Sequence, residues 1–355
     1  MPGIKTTTIP EQVAVHLRSG ISSGRWTEIM PGRDSLATEL GVSPRSVQKA
    51  LMLLEKERLL EPQGKGKPYK INRAGADLDD KPIRVGLLVF DRADHHDDYV
   101  LELRHQLEDA GHISVVPREG LHELGMDVNR VAKLVRKASA DAWVVVAGSR
   151  ELLEWFIDKK IKVFALAGRR FSLPIAGTGP DKSKPYREVV HELATLGHRR
   201  IVLLVQRQLR LPEPSFFTRA FVNALEDAGV PTGQYNLPDW EDNAEGFQEI
   251  LESLFRTTPP TALILDEAFL FHAAYHFLAQ KQLRVPQDVS LVCTDGSNDF
   301  FWCKPSVAHL SWDYQTVIRR IMKWVKNVAR GKDDRRQTFT KAVYVRGGTV
   351  GPAPD

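Results

Sequence analysis

Two kinds of hydrophobic spacing divide this chain. Up to about residue 71 the apolar positions recur three and four apart, the period of a helix face. Val13, Ala14, Leu17 and Ile21 share a face over residues 11–22, and Leu36, Ala37 and Leu40 share one over residues 32–40. Gly41 then supplies the left-handed residue that ends a helix. Val47, Ala50, Leu51 and Leu54 form the stripe of a third helix. Ser43 is placed to cap its free N–H groups, and Pro44 takes the first helical position, where a missing N–H costs nothing. Leu59-Leu60-Glu61 and Tyr69-Lys70-Ile71 predict two short strands around Gly64-Lys65-Gly66-Lys67, whose glycines permit a tight turn. The expected product is helix, helix, sharp turn, helix and basic hairpin.

Beyond residue 83 short apolar runs alternate with amphipathic stretches. Strands are expected at residues 83–90, 113–116, 142–147, 163–167, 201–205, 261–265 and 289–294. Helices are expected at 99–110, 126–138, 151–159, 186–196, 218–228, 244–255, 268–280 and 314–329. Such alternation predicts an α/β fold with parallel sheets covered by helices on both faces, in two lobes with a cleft at the strand ends. The unpatterned RAGADLDDKP stretch reads as a linker. The expected domains are therefore residues 1–73, a linker at 74–82, and residues 83–355, with one lobe at about 83–180 and 307–331 and the other at about 181–306 and 332–355.

Charge sharpens this division. Residues 1–75 hold 12 Lys and Arg against 7 Asp and Glu, or +5, so the rest of a chain whose net charge is +4 sums to −1. The partner-seeking positive charge lies in the amino-terminal module. Its third helix turns Arg45, Gln48, Lys49 and Met52 outward. Arginine can bond guanine, glutamine can bond adenine, and lysine or serine can hold phosphates. Arg33, Ser43, Arg45, Ser46, Gln48, Lys49, Lys65, Gly66 and Lys67 are accordingly the expected contacts to double-stranded DNA, with the hairpin as a wing. Two cysteines without a CxxC spacing, a start with no apolar signal core, and no apolar run of membrane length lead to the expectation of a cytoplasmic protein.

Residues 9–73 resemble the winged helix-turn-helix of GntR-type bacterial regulators. The likeness is carried by Ile21-Ser22-Ser23-Gly24-Arg25-Trp26, by Met30-Pro31-Gly32-Arg33-Asp34-Ser35-Leu36-Ala37, and by Val42-Ser43-Pro44-Arg45-Ser46-Val47-Gln48-Lys49-Ala50-Leu51. The family's arginines fall here on Asp34, Pro44 and Gln48, with Arg33, Arg45 and Lys49 beside them, so the resemblance implies DNA binding but not the operator.

Residues 83–350 resemble the effector domain of LacI-type repressors, itself similar to periplasmic sugar-binding proteins. Ala140-Asp141-Ala142-Trp143-Val144-Val145, Leu196-Gly197-His198-Arg199-Arg200-Ile201, the run Val285 to Gly296 and Pro305-Ser306-Val307-Ala308-His309-Leu310 carry that likeness. It implies a ligand between the lobes. A recurrent aspartate maps to Asp295, an arginine to Phe217, and an Asn-Asp pair to Asp266 and Glu267. With Phe217 in the arginine's place, either the ligand stacks there, or Arg219 or Arg207 supplies the charge, or the sugar site is lost. Phe216, Trp240, Phe300, Phe301 and Trp302 are further rings that can stack on a sugar face or serve as core. Asp91, Arg92, Arg169 and Arg170 are candidates for the rim.

His95-His96-Asp97-Asp98 reads better as the approach to a helix than as a metal site, since consecutive residues rarely converge on one ion. His272 and His276 lack the glutamate of a zinc-protease motif. No nucleophile elbow or phosphate loop is visible. The resemblances together imply a homodimeric transcription regulator, a repressor, that needs no cofactor and answers to a small carbohydrate effector. The alternatives are a non-sugar effector, a solute receptor whose head docks a protein, and an enzyme on a two-lobed scaffold.

Overall fold

A computed structural model of the chain describes residues 8–22, 25–57, 59–64, 67–72 and 81–354. The amino-terminal module holds α1 (Ile9–Ser22), α2 (Arg33–Leu40), α3 (Pro44–Lys56), β1 (Leu60–Glu61) and β2 (Lys70–Ile71). Gly41 ends α2 at φ 63°, its N–H bonded to the Ala37 carbonyl, so a side chain there would be strained. The Ser43 hydroxyl accepts from the Ser46 N–H at 3.1 Å and caps α3. Leu17, Leu36, Val47, Ala50, Leu51 and Leu54 are buried together, as the helical spacing predicts. Burying each large aliphatic side chain contributes roughly 1.5–3 kcal/mol, which is what holds a module this small. The two strands pair antiparallel, Leu60 opposite Ile71. A third edge that the sequence did not announce runs beside them. Ile29 bridges Lys70, the Met30 N–H bonds the Tyr69 carbonyl at 2.9 Å, and the Ile71 N–H bonds the Glu28 carbonyl at 2.8 Å.

The remainder runs β3 (Arg84–Leu88), α4 (Asp98–Asp109), β4 (Ile113–Val115), α5 (Val128–Ala138), β5 (Ala142–Val146), α6 (Arg150–Asp158), β6 (Lys162–Leu166), β7 (Ala176–Thr178) and β8 (Pro180–Asp181). It continues with α7 (Ser183–Thr195), β9 (Ile201–Leu204), α8 (Arg207–Arg210), α9 (Phe216–Asp227), α10 (Ala244–Thr257), β10 (Ala262–Leu265) and α11 (Ala268–Gln280). The chain closes through β11 (Ser290–Cys293), β12 (Ala308–Trp312), α12 (Tyr314–Ala329) and β13 (Thr340–Val345).

These elements fall into two compact units. The first takes the chain up to Leu124 with Asn129–Val144 and Ile321–Asp334; the second takes Gly125–Val128, Val145–Arg320 and the chain from Arg335. In the first unit β3 pairs in parallel with β4, Arg84 opposite Ile113. Trp143 is fully buried against Gly86, where an added Cβ would lie 2.4 Å from the indole, so only glycine admits this packing.

In the second unit β6 pairs in parallel with β7, and a six-stranded sheet has the order β8-β13-β12-β11-β10-β9. It is parallel except where β13 runs antiparallel to β12. Alternate residues feed two hydrophobic layers, one through Val202, Leu204, Leu263, Leu265, Leu291 and Cys293, the other through Ile201, Leu203, Ala262, Ile264 and Val292. A sheet buried on both faces explains why its strands read as unbroken apolar runs. His198, from the Gly-His-Arg-Arg-Ile segment, ties the strand starts together. Its Nδ1 lies 2.9 Å from the Thr261 hydroxyl and its Nε2 2.9 Å from the Gly351 carbonyl. Burial lowers its pKa, which favours the neutral ring such a network needs.

One expectation needs correcting, and several strands went unannounced. Strand β12, expected within the first lobe, lies in the six-stranded sheet because Val292 and Cys293 pair in parallel with Ala308 and His309. Strands β7, β8 and β13 had no apolar run to mark them; β13 alternates buried and exposed positions and carries Lys341 outward. The linker expected at 74–82 falls mainly outside the described residues.

Candidate functional site

The exposed face of α3 carries Arg45 and Lys49, with Met52 beside them. Other expected DNA contacts are already engaged. Ser43 and Ser46 share the cap, their hydroxyls 3.0 Å apart, so they order the helix start. Gln48 is half-buried near the Tyr69 hydroxyl, which donates to Glu55 at 3.2 Å. Burial and the Glu55 charge raise the Tyr69 pKa, so the hydroxyl keeps its proton. Arg33 pairs with its neighbour Asp34 at 3.0 Å, a bond that raises the Arg33 pKa. Lys67 is exposed and its N–H bonds the Gly64 carbonyl across the hairpin, while Lys65 and Gly66 lie outside the described residues. Arg18 clamps Glu57 at 2.7 Å and so fastens α1 to the end of α3. The result is a capped, braced helix presenting Arg45, Lys49 and, in its last turn, Lys56.

In the second unit a polar cluster forms where the strands end. Lys182, just after β8, reaches Asp266 after β10 at 3.3 Å and Thr294 after β11 at 3.2 Å. Thr294 also donates to Asp266 at 2.8 Å. Asp295 accepts from the Gly296 N–H at 2.8 Å and from the Trp312 indole N–H at 3.1 Å. Burial opposes the charge on Lys182, but Asp266, Tyr186, Asp295 and Glu267 outweigh it, and the ammonium holds its proton more firmly than an ordinary lysine. Burial raises the Asp295 pKa, against the pull of Lys182. Burial likewise raises Tyr186. The group offers an ammonium, two carboxylates and hydroxyls, with the indole N–H orienting Asp295, a donor and acceptor set suited to a polyhydroxylated solute. Cys293 is fully buried and burial pushes its thiol up, which leaves it a poor nucleophile.

The expected ligand residues divide. Asp295 is half-buried and belongs to the cluster, and Asp266 is its buried base, held by Lys182 and Thr294. Trp240 is core instead. It packs on Phe247, donates its indole N–H to the Val205 carbonyl at 3.1 Å, and lies under the Arg210 guanidinium. Arg169 is a strap, donating to the Gln208, Leu211 and Glu213 carbonyls. Arg170 is buried and bonds the Thr178 and Thr338 carbonyls and the Gln337 side chain; burial lowers its pKa to about 10. Phe217 sits half-buried among Phe171, Phe216 and Phe339. Phe301 and Trp302 are 85% and 82% exposed, while Phe300, in the same short turn, is core.

In the first unit Asp91 caps a short turn through the Ala93 N–H at 2.8 Å and meets His122 at 3.1 Å, and Arg92 is exposed. Asp91, His122 and Glu123 place ligand-type atoms within 4.8 Å of one another, on partly exposed side chains; neither His95-His96-Asp97-Asp98 nor His272 with His276 makes such a group among the described residues. Sequence reasoning missed Lys182, Thr294 and Trp312. Thr294 was findable as the residue following a buried parallel strand; Lys182 and Trp312 follow or end strands that no pattern marked.

Comparison with known proteins places these two parts. Residues 9–66 match the model of the bacterial regulatory proteins of the gntR family, and residues 190–350 match that of the periplasmic binding protein-like domain. No curated protein matches in sequence. Among solved structures, the chain is similar to a transcriptional regulator CelR–cellobiose complex at 15% identity and TM-score 0.61, covering 90% of this chain and all of that one. A LacI family transcriptional regulator from Enterococcus faecium with bound ribose matches at 16% identity and TM-score 0.61, covering 76% of this chain and 99% of its own. One from Mycobacterium smegmatis matches at 16% identity and TM-score 0.62, with the same coverages. At such identities the likeness speaks to fold.

Proposed function

The chain joins a gntR-family head to a periplasmic binding protein-like domain, and from that premise we propose a transcription regulator whose grip on operator DNA is set by a small hydroxylated solute. The observation that carries this reading is the pairing of a capped helix with exposed Arg45 and Lys49 to a separate domain with a polar cluster at its strand ends. Cellobiose and ribose in the similar structures support a carbohydrate. Lys182, Thr294 and Asp295 would receive it, with Trp312 orienting Asp295 and Asp266 beneath. The active species is a dimer, in which two heads would reach two half-sites in successive major grooves. The solute binds one conformation of that dimer more tightly than the other, and only one conformation matches both half-sites; without such a preference no ligand shifts the balance. Repression follows if the liganded form releases DNA. The protein acts by binding rather than by turnover. Among the described residues no helix is long and apolar enough to cross a membrane.

The test is to titrate a panel of mono- and disaccharides into the full-length protein on a labelled duplex at low ionic strength. At least one sugar should change duplex affinity and emerge chemically intact. Duplex binding that no solute moves, or consumption of the sugar, rejects the reading. A solute receptor whose head docks a protein would bind sugar and ignore the duplex.

A further inference from the structure

We propose that the solute recognised by the second unit carries an aryl group, received by Phe171, Phe216, Phe217 and Phe339. This rests on the solute-controlled reading above and names the chemical class of the solute. The four rings come from three separate segments, the loop after β6, the first turn of α9 and the residue before β13. Their centroids lie 4.8 Å apart for Phe171 and Phe216, 5.7 Å for Phe171 and Phe217, 5.7 Å for Phe171 and Phe339, and 5.2 Å for Phe216 and Phe217. Those are ring-pairing distances, yet Phe216 stays 55% exposed and Phe339 49%. Large rings gathered from distant segments and left half in water are a surface awaiting an apolar partner.

The polar groups at the same place are occupied. Arg169 donates to three main-chain carbonyls. Arg170 is bonded on three sides, its guanidinium stacked 4.5 Å from the Phe171 centroid and 5.1 Å from that of Phe339. The patch therefore presents ring faces and edges, with no forked donor to spare for sugar hydroxyls. Strand register argues for a small molecule. Trp312 stands opposite Ala342 and Asp181 opposite Lys341, which brings Lys182 level with Trp312 and Ala342. Phe339 comes three residues before Ala342, just ahead of β13, and extended main chain of that length spans about 10 Å. That separation is spanned by one sugar ring joined to one aryl ring, so a single solute can place hydroxyls on Lys182 and Asp295 and its aryl group on the phenylalanines.

Matched pairs of methyl and phenyl glycosides of glucose, galactose, mannose, xylose and arabinose test this by calorimetry on the full-length protein. For the sugar that binds, the phenyl member should bind about tenfold more tightly than the methyl member, the scale of one or two ring contacts. Phe216→Ala and Phe339→Ala should each bring that ratio toward one, and Phe217→Leu should lower it while keeping apolar volume. Equal affinities within every pair, survival of the ratio in all three variants, or no binding by any phenyl glycoside overturns the proposal. The same samples are scored on the labelled duplex without ligand. Intact duplex binding then confines the failure to the solute class, whereas loss of duplex binding in the unsubstituted protein strikes the regulator reading itself.

Discussion

Lys182 shows how one side chain can carry both a fold and a binding site. Its ammonium and the Asp266 carboxylate are both largely withdrawn from water, and each is tolerable there only because of the other. Lys182→Met should leave Asp266 as an uncompensated buried charge and cost about 3–5 kcal/mol in urea unfolding. Adding Asp266→Asn should recover a substantial part of that loss, and a double variant no more stable than the single one would show that the pair is not what the lysine stabilises. Single residues also explain where reading by type went astray. An arginine beside a cleft looks like a ligand contact, yet Arg169 serves carbonyls and Arg170 a buried lattice of them. A tryptophan in a loop looks like a stacking platform, yet Trp240 is core because its indole N–H reaches the Val205 carbonyl. In each case the partner lies some thirty or more residues away or across a strand, where no local pattern records it.

Elements were better announced than residues, because a helix face or a buried strand repeats its signal several times. Helix α3 was legible down to its cap, since Ser43, Pro44 and the stripe from Val47 to Leu54 all say the same thing. The turn Arg92–His96 was not. Asp91 and Asp94 form a reciprocal capping box there, the Asp94 carboxylate accepting from the Asp91 N–H at 2.9 Å. Burial, with the Asp91 and Glu123 charges adding to it against the turn's backbone bonds, raises the Asp94 pKa from 3.8 to about 6. The folded protein thus keeps this proton to higher pH than the unfolded chain does. Stability from the protonated form is full below about pH 4 and is lost as pH rises through about 6, by about 3 kcal/mol at most. Asp94→Asn keeps the acceptor but cannot titrate, so its stability relative to the wild type should climb between pH 4.5 and 7.5. Urea unfolding at the two pH values measures this, and an unchanged difference refutes it.

At the scale of the whole molecule the division of charge is the organising fact. The amino-terminal +5 sits with the helix that presents Arg45 and Lys49, while the larger remainder is close to neutral. If the head holds duplex phosphates, affinity must fall steeply with salt as counterions are released. Arg45→Ala and Lys49→Ala should each weaken binding to unrelated duplexes alike. Where the removed cation had neutralised a phosphate, the slope of log affinity against log salt should become shallower by about one. A weakening confined to one sequence would instead mark a base contact, and an unchanged slope would remove that residue from the interface.

The sequence alone determined the order of the parts: a capped helical module with a basic hairpin, followed by strands buried on both faces and alternating with helices. Periodicity, caps and apolar runs are local quantities, and they survive without coordinates. Only the tertiary structure decided which polar residues meet. Lys182, Asp266, Thr294, Asp295 and Trp312 are scattered over more than a hundred positions and converge because β10, β11 and β12 align their ends in parallel while β13, antiparallel to β12, brings the end of β8 beside them. Convergence of that kind is set by pairing between distant segments, which no spacing along the chain encodes.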